Sequence, residues 1–297
     1  MCESEGLPCF VGKVAMLATC ELPGGQVATA VLACARLGLR TAYVGAVGED
    51  AMGEAVLAPL RKAGVDLAGV KCVPGAPTQL AVIVVDRASG DRTVLWHRDT
   101  RLSLAPGDLR RQAIESARAL LLDAGDPETA AWAADVARAA GIPVVLDADT
   151  PGPGVIELLR RVDFPIVSRG FAEAFCKGRS VREALEELAA HGSRLAVVTL
   201  GKGGAMARSA DRVIESPAFR VEARDTTGAG DVFHAAFTWA LLEGWDADST
   251  LRVANAAAAM NCRALGAQGG LPGRGELLAF SKENEPVPWR EPGRGGR

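Results

Sequence analysis

The residues best suited to chemistry lie in one short stretch, D-T-T-G-A-G-D, from Asp225 to Asp231. Gly228 and Gly230 allow the backbone to bend where a side chain would clash, and the apolar sequence that follows predicts a helix. At a helix start the N–H groups lack partners within the helix, and the helix dipole is positive. The N–H groups of Gly228, Ala229, Gly230 and Asp231 are therefore expected to point at one spot and form an anion hole.

Asp231 is an unexpected residue in an anion hole, because a carboxylate repels a phosphate. It suits the position if it accepts a proton from a hydroxyl group that attacks the phosphate. The stretch therefore indicates phosphoryl transfer to an alcohol. The alternative is an ordinary glycine-rich turn with an acid at a helix start, where acids are favoured in any case.

The helix that follows is predicted to be amphipathic. Its apolar residues recur at the spacing of one helical face: Val232, Phe233, Ala236, Phe237, Ala240 and Leu241. Gly244 is a suitable residue to end it, because glycine readily adopts the left-handed conformation found just after helix C-termini.

Two further glycine-containing stretches are candidates for ligand contacts. T-L-G-K-G-G-A-M, from Thr199 to Met206, follows a buried strand, and its glycines would let the backbone approach a nucleotide. It is not a P-loop, because G-x-x-x-x-G-K-[ST] is absent from the chain, and an ordinary turn is the alternative. L-P-G-G-Q-V-A-T-A, from Leu22 to Ala30, places two glycines before a helix and could bind a polar group there.

Composition excludes several classes of function. The chain has 297 residues, 48% of them hydrophobic, which suffices for one large α/β domain or two small ones. A net charge of −3 offers no basic excess for nucleic acid. No apolar run approaches the roughly 20 residues of a membrane span, and the N-terminus does not resemble a signal peptide. Seven scattered cysteines without a C-x-x-C pair fit a cytoplasmic protein with reduced thiols, and the three histidines lack metal-ligand spacing.

Strand and helix patterns alternate along the middle and late chain, which predicts a mostly parallel sheet with helices on both faces. The predicted strands and helices are, in chain order, 119–123, 127–140, 143–147, 165–168, 181–191 and 195–200. Asp123, Asp147 and Asp149 stand at strand ends, where ligands bind in such sheets. Turn formation is the alternative role for these acids.

An earlier part of the chain does not fit that sheet. Leu80 to Asp86 and Arg92 to Arg98 are predicted strands of a hairpin around A-S-G-D. Together with the segment at about 12–20, which includes V-A-M-L-A-T from Val14, the segment at about 78–98 is expected to form a small β lid over a site. Residues 1–283 are expected to be one domain and residues 284–297, rich in Pro, Gly and Arg, a loose tail.

The three glycine motifs, in this order and spacing, resemble the ribokinase-like or PfkB family of carbohydrate kinases from Gly12 to Pro272. The D-T-T-G-A-G-D-V-F motif is specific to that family. The resemblance implies a Rossmann-like mostly parallel sheet with a β lid, the use of ATP and Mg²⁺, and in many members a homodimer formed through the lid.

The resemblance also implies roles for individual residues. Asp231 resembles the catalytic base, and Gly228, Ala229 and Gly230 resemble the anion hole. On the nucleotide side stand Thr199, Gly201, Gly204 and Asn255, the last with the small residues 256–259 on a helix that would line the adenine pocket or simply pack tightly. Asp225 and Thr227 match positions that hold a monovalent cation in potassium-activated members.

On the sugar side, the resemblance involves the G-G-x-x-A-N motif. Its positions are matched by Gly24, Gly25, Gln26 and Thr29, with Thr29 where Asn is usual. Asp123 matches another sugar-facing position. Arg98, at the end of the second hairpin strand, could grip an anionic or polyhydroxy substrate, or it could be an ordinary surface residue.

Two departures from the family pattern stand out. The N-x-x-E motif that organises Mg²⁺ in many members has Ser168 and Phe171 in its place, with Glu173 out of register. Ketohexokinase-like and some sulfofructose-kinase-like members also lack the full motif. In addition, the first strand of the family, with its sugar-binding Asp, has no match, so that a strand is expected to be missing from the sheet or to lie upstream.

The leading hypothesis is an ATP-dependent carbohydrate kinase acting on a ketose or related sugar. A nucleoside kinase of the same fold is the nearest alternative. The missing strand and the altered N-x-x-E motif leave open a non-catalytic protein that binds a sugar or nucleotide.

Overall fold

The computed structural model describes residues 16–85 and 92–287. Within these ranges the chain forms ten strands: β1 (Ala42–Gly48), β2 (Asp66–Val73), β3 (Leu80–Val85), β4 (Arg92–His97), β5 (Leu120–Asp123), β6 (Val144–Ala148), β7 (Phe164–Ser168), β8 (Ala196–Thr199), β9 (Ala205–Arg208) and β10 (Val213–Ser216). The α-helices in the same ranges are α1 (Gln26–Arg36), α2 (Ala51–Lys62), α3 (Arg111–Glu115), α4 (Pro127–Ala139), α5 (Pro153–Leu159), α6 (Arg169–Phe175), α7 (Val181–Ala190), α8 (Ala229–Leu242), α9 (Ala247–Asn261) and α10 (Arg274–Glu283).

The main sheet has six strands in the order β10-β9-β8-β7-β6-β5. Strands β5 to β8 run parallel, whereas β9 and β10 pair antiparallel at one end. The parallel strands are short apolar runs because both of their faces are covered. The predicted α/β architecture is therefore confirmed, with strand and helix ends within a residue or two of those expected.

Alternate residues of these strands face two separate cores. Val145 and Ile166 belong to the core that includes α1, α8 and α9. Leu146 and Val167, one residue further along each strand, belong to the core that includes α4, α5 and α7. Because successive strand residues point to opposite faces, this alternation explains why helices lie on both sides of the sheet.

Helix α8 is not amphipathic, and the prediction of a single apolar face was wrong. Every residue from 232 to 240 is buried. Helices α1 and α9 both pack against α8, so the side expected to meet water is covered by protein. The predicted end of the helix is confirmed, since Gly244 follows the C-cap residue Glu243 with a φ of 77°.

The early strands do not join the main sheet. β1 and β2 pair parallel as a separate two-stranded sheet, and β5 is the edge of the six-stranded sheet. Helix α1 contacts both β1 and β5. The side chain of Tyr43 in β1 folds over Gly45, where a Cβ atom would lie 2.4 Å from the Tyr43 hydroxyl. Within the described chain, β1 is the first strand, and the expectation that the family's first strand has no match stays a prediction.

The predicted hairpin is confirmed as an antiparallel pair, β3 with β4, separate from the main sheet. The turn residues 86–91 and residues 12–15 lie outside the described residues. Residues 16–20 are described and form no strand, so this part of the expected lid does not pair with the hairpin. Met16 and Leu17 are instead largely exposed.

The C-terminal segment contacts the domain beyond residue 283, where the loose tail was expected to begin. The N–H of Val287 donates to the carbonyl of Ala218 at 2.8 Å, and Pro286 forms a bridge with Phe219. Residues 284–287 are therefore not part of a loose tail, and residues 288–297 lie outside the described residues. No described helix is long and apolar enough to cross a membrane.

Candidate active site

The predicted anion-hole loop depends on Gly228. This residue is the N-cap of α8 and has a φ of 76°, a left-handed conformation that side chains rarely adopt. A Cβ atom at Gly228 would lie 2.5 Å from the carbonyl oxygen of Ala267. Glycine is required here for both reasons, and the tight contact fixes the loop before α8 against the segment at 266–270.

Two of the four predicted N–H groups remain available. The N–H of Ala229 donates to the carbonyl of Thr226 at 3.3 Å, and the N–H of Asp231 faces its own carboxylate and lowers its pKa slightly, against the larger effect of burial. The N–H groups of Gly228 and Gly230 donate to no atom of the described residues. Fewer N–H groups are therefore available to an anion than the sequence predicted, because the turn itself uses some of these donors.

Asp225 and Asn261 hold this loop in place. One carboxylate oxygen of Asp225 accepts from the N–H of Thr227 at 2.9 Å, and the other accepts from the N–H of Gly266 at 2.8 Å. The amide of fully buried Asn261 donates to the carbonyls of Thr227 at 3.2 Å and Ala267 at 3.0 Å. Sequence reasoning missed Asn261, because nothing in its helical context indicates a long-range clamp.

Several carboxylates meet at the mouth of α8. Asp123 is the last residue of β5, Asp147 is the penultimate residue of β6, and Asp149 follows β6. Asp231 lies in the first turn of α8. Their charges act on one another: Asp147, Asp123 and Asp149 each raise the pKa of Asp231. The carboxyl ends of the parallel strands thus place the predicted acids beside the predicted base, as expected for this sheet type.

Asp231 has a pKa well above the usual aspartate range. Burial is the largest cause, followed by repulsion from Asp147, Asp123 and Asp149. The residue is half-buried, and protein atoms surround its carboxylate. A carboxylate with a raised pKa in such a position is suited to accept a proton from a bound hydroxyl group.

His234 is a second residue that the sequence did not single out as functional. Its ring lies one helical turn after Gly230 and is almost fully buried beside Asp147, with Nε2 3.5 Å from the Asp147 carboxylate. The charge of His234 lowers the pKa of Asp147, against the larger effect of burial, which raises it.

The predicted sugar-side motif meets the anion-hole loop through residues 266–268. Gly25, with a φ of 100°, caps α1, and Gly24 and Gln26 flank it at the protein surface. Thr29 is fully buried, and its hydroxyl accepts from the Gln268 amide at 3.4 Å. Leu22 packs against Gly266. The start of α1 and the start of α8 therefore share one loop, and Gln268, which the sequence did not predict, links them.

The guanidinium of Arg98 is held by an ion pair and by hydrogen bonds to backbone carbonyls of the protein. Its Nη2 atom lies 2.6 Å from a carboxylate oxygen of Asp126 and donates to the carbonyl of Leu102, and its Nη1 atom donates to the carbonyl of Gly125 at 3.2 Å. Asp123 accepts from the N–H of Gly125 at 2.9 Å. Arg98 thus fastens the end of the hairpin to the loop beside Asp123, and its donors are largely used for that purpose.

The predicted nucleotide-side residues form a second cluster. Thr199 ends β8, and the turn that follows contains Gly201 and Gly204, both with positive φ. A Cβ atom at Gly204 would lie 2.1 Å from the carbonyl oxygen of Ser216. Asn255 in α9 is buried, and its amide donates to that same carbonyl at 2.9 Å. The amide of Asn255 is therefore used to hold β10, and the role of this helix in lining an adenine pocket stays a prediction.

The positions that match the N-x-x-E motif do not fit a metal ion. The Ser168 hydroxyl caps α6 by accepting from the N–H of Phe171 at 3.1 Å, and the Phe171 ring is fully buried in the core. Glu173 is exposed. Among the described residues, no group of three or more His, Cys, Asp or Glu side chains is arranged to hold a metal.

Comparison with known proteins identifies the family. The model of the pfkB family carbohydrate kinases matches residues 14–274. This chain belongs to the pfkB family. The ribokinase of Bacillus subtilis (strain 168) is 32% identical over 259 residues, which cover 86% of each protein. The nucleoside kinase of Methanothermobacter thermautotrophicus is 32% identical over 267 residues, covering 87% of this chain and 84% of that protein.

A solved structure agrees with this assignment. Arabidopsis thaliana ribokinase, complexed with ribose and ATP, has a TM-score of 0.79 at 26% identity, and the match covers 94% of this chain and 93% of that one. The ribokinase-like fold expected from the motifs is confirmed. As a pfkB family member, this chain is a phosphotransferase of the class that acts on an alcohol group of a sugar or nucleoside.

Proposed function

We propose that this protein transfers the γ-phosphoryl group of ATP to a hydroxyl group of an uncharged sugar, with Asp231 as the general base. The observation that carries the proposal is the raised pKa of Asp231 at the mouth of α8, next to the unused N–H groups of Gly228 and Gly230. The base accepts the hydroxyl proton while these N–H groups stabilise negative charge on the transferred phosphoryl group. Ala229 stabilises the turn, because its N–H donates to the carbonyl of Thr226, and it does not supply an N–H group to the phosphoryl group.

The charges around the acceptor position favour a neutral substrate. Asp123, Asp147 and Asp149 lie close enough to Asp231 to raise its pKa. These carboxylates would repel an acceptor substrate that already carried a phosphate group. Arg98 offers little compensation, because its guanidinium is already paired with Asp126. Gly24, Gly25, Gln26 and Thr29 at the start of α1 are the sugar-side residues in this proposal, together with Asp123.

ATP is proposed to bind beyond the end of β8, against Thr199, Gly201 and Gly204, on the side of the sheet that leads to the anion hole. The support for this is Gly201, where a Cβ atom would meet nothing within 4 Å, so that the backbone is open to a phosphate chain; Gly204 instead packs tightly against the carbonyl of Ser216. Mg²⁺ neutralises phosphate charge when it is bound, and it usually retains several waters and needs few protein ligands. It would enter with the nucleotide, since Ser168 and Phe171 provide no carboxylate.

A monovalent cation such as K⁺ is proposed to act at the Asp225–Thr227 clamp. Both positions supply oxygen atoms, which suit hard cations, and the clamp fixes the loop that carries Gly228. A cation bound there would change the turnover rate by affecting the position of the anion-hole N–H groups. Turnover in K⁺ compared with Na⁺ and tetramethylammonium, at constant ionic strength, tests this, and equal rates in all three would refute it.

The hairpin is proposed to pair two copies of the protein. Ile83, Val85, Val94 and Trp96 lie on one of its faces by strand register and are all exposed. Leu80, Val82 and Val84 lie on the other face and are exposed as well. Because a substrate can cover only one face, and an isolated two-stranded hairpin is at best marginally stable in water, the remaining face suits a second copy of this chain.

The function is tested by ADP release from ATP with a panel of acceptors: ribose, fructose, other neutral ketoses, nucleosides and ribose 1-phosphate. Stimulation by a neutral sugar supports the proposal. Stimulation by nucleosides alone would favour the nucleoside kinase, and a strong preference for ribose 1-phosphate would contradict the argument from charge. ATP binding without stimulation by any acceptor would favour a non-catalytic protein.

A further inference from the structure

The ring of His234 is surrounded by hydrogen-bond acceptors. Its Nδ1 atom lies 2.7 Å from the carbonyl oxygen of Gly230, one turn earlier in α8. Its Nε2 atom lies 3.1 Å from the carbonyl oxygen of Ile166 in β7 and 3.5 Å from a carboxylate oxygen of Asp147 in β6. The imidazole therefore connects the first turn of α8 with the ends of two neighbouring strands.

These partners determine how many protons the ring carries. A carbonyl oxygen accepts hydrogen bonds and cannot donate them. A neutral imidazole has one N–H, so either the Gly230 carbonyl or the Ile166 carbonyl would face a nitrogen lone pair. Only the doubly protonated ring donates at both contacts, because a nitrogen lone pair held 2.7 Å or 3.1 Å from a carbonyl oxygen would be repelled by it.

Asp147 is placed to balance this charge. It lies directly opposite Ile166 in the register of β6 and β7, and both Asp147 and His234 are buried. A buried charge without a partner is strongly destabilising, whereas a well-bonded pair is tolerated. The competing arrangement is a neutral His234 whose Nε2 accepts a proton from a protonated Asp147, which would leave the Ile166 carbonyl without a donor from the ring.

The pair lies next to the proposed base. His234 bonds to the carbonyl of Gly230, whose next residue is Asp231. The titratable groups that face the pair are Asp231 from α8, Asp123 from the end of β5 and Asp149 after β6. All three are acids, so a cation at His234 would offset part of their charge, as Arg98 does at Asp123.

We propose that His234 is held as an imidazolium paired with ionised Asp147, and that this pair is a positioning element of the kinase: it fixes the first turn of α8 on the sheet and balances the charge beside Asp231. The protonation state does not depend on the catalytic assignment, whereas the effect on Asp231 rests on the proposed function. His234 acts through Gly230, whose carbonyl its ring contacts, and through the adjacent Asp231.

The protonation state can be read by ¹⁵N NMR of the imidazole rings. The chain has three histidines, so His234→Gln and the control His191→Gln assign the signals. We expect both ring nitrogens of His234 to be protonated at pH 7 in the wild-type protein, and Nε2 to lose its proton at pH 7 in Asp147→Asn. A neutral His234 ring in the wild-type protein at pH 7 would overturn the proposal, whether or not the protein has kinase activity.

The effect on the base is tested by the pH dependence of kcat/KM. Removing the cation in His234→Gln should raise the pKa of Asp231 and move the acidic limb of the profile to higher pH. Because Asp147→Asn is expected to remove the charge of His234 together with that of Asp147, it should move this limb less than His234→Gln does. A purely structural role would lower the rate by the same factor at every pH. Unshifted limbs in both variants, with folding confirmed by circular dichroism, would therefore refute the role assigned to the pair.

Discussion

The Cα position of Gly228 lies so close to Ala267 that no side chain can be added between them: a Cβ atom would be 2.5 Å from the Ala267 carbonyl oxygen and 2.8 Å from its Cβ atom. The loop that begins α8 and the loop after α9 are therefore packed backbone to backbone. Because Asp225 and Asn261 bridge the same two loops, the proposed anion hole depends on two distant parts of the chain and loses its shape if either moves.

Gly228→Ala is expected to damage both stability and turnover. The left-handed conformation alone costs a side chain about 1–2 kcal/mol, and the contact with Ala267 adds to it. The matched control is Gly230→Ala, where a Cβ atom would meet nothing within 4 Å and alanine favours the helix. Urea denaturation should show a lower midpoint for Gly228→Ala and an unchanged or higher one for Gly230→Ala. Equal stability of the two variants would contradict the packing described here.

Asp231→Asn is expected to stabilise the folded protein at neutral pH. The folded-state pKa of Asp231 lies above its unfolded value, so ionisation opposes folding. Stability is lost as the pH rises from the ordinary aspartate pKa towards the raised one, and the loss is complete above it. Thermal melts should place the variant above wild type at pH 8, with the difference shrinking towards about pH 4.

The control for this melting experiment is Asp211→Asn, an exposed aspartate between β9 and β10, which should leave the melting temperature nearly unchanged at both pH values. A melting temperature for Asp231→Asn at or below that of wild type at pH 8 would show that ionisation of the Asp231 carboxyl group does not destabilise the folded protein.

Arg98→Gln and Asp126→Asn are expected to have similar consequences, because the two side chains act as one pair. Each should raise KM for the sugar several-fold by loosening the loop that carries Asp123, and lower the free energy of unfolding by about 1–3 kcal/mol. Steady-state kinetics with saturating ATP measure the first effect. If Arg98 grips the substrate directly, Arg98→Gln will raise KM far more than Asp126→Asn, and the assignment of Arg98 to a structural role is wrong.

Trp96→Asp tests the proposed pairing of two copies through the hairpin. Trp96 is 67% exposed on the face it shares with Val94, and a buried carboxylate there would prevent an apolar interface. Sedimentation velocity should show a dimer for wild type and a monomer for this variant. Met52→Asp, at an exposed apolar position of α2, should remain a dimer. A monomeric wild-type protein would remove the basis for the proposal.

The local parts of the site could be predicted from sequence, and its long-range parts could not. The turn at Gly228 and the acid at Asp231 follow from a short motif whose geometry is set by adjacent residues. Asn261 and Gln268 act on residues far away in the chain, and no local pattern marks them. The face of α8 was mispredicted for a related reason, since apolar spacing cannot tell how many neighbours a helix has in the fold.

The charges of the site were partly foreseen. Acids at the ends of β5 and β6 were expected to face a ligand because parallel strands end at the same edge of a sheet. That His234 lies among them was not expected, since a lone histidine in an apolar helix has no distinguishing sequence signal. The use of Arg98 and Asn255 by the protein itself likewise depends on partners that only the folded structure brings together.

The proposed removal of the acceptor hydroxyl proton by Asp231 is tested most directly by the turnover of Asp231→Asn with the best neutral sugar found in the acceptor panel. General-base catalysis contributes about 10²–10⁴-fold, so kcat should fall by at least 100-fold while the affinity for ATP, measured by calorimetry, stays within about threefold of wild type. A kcat within tenfold of wild type would contradict the assignment of Asp231 as the base.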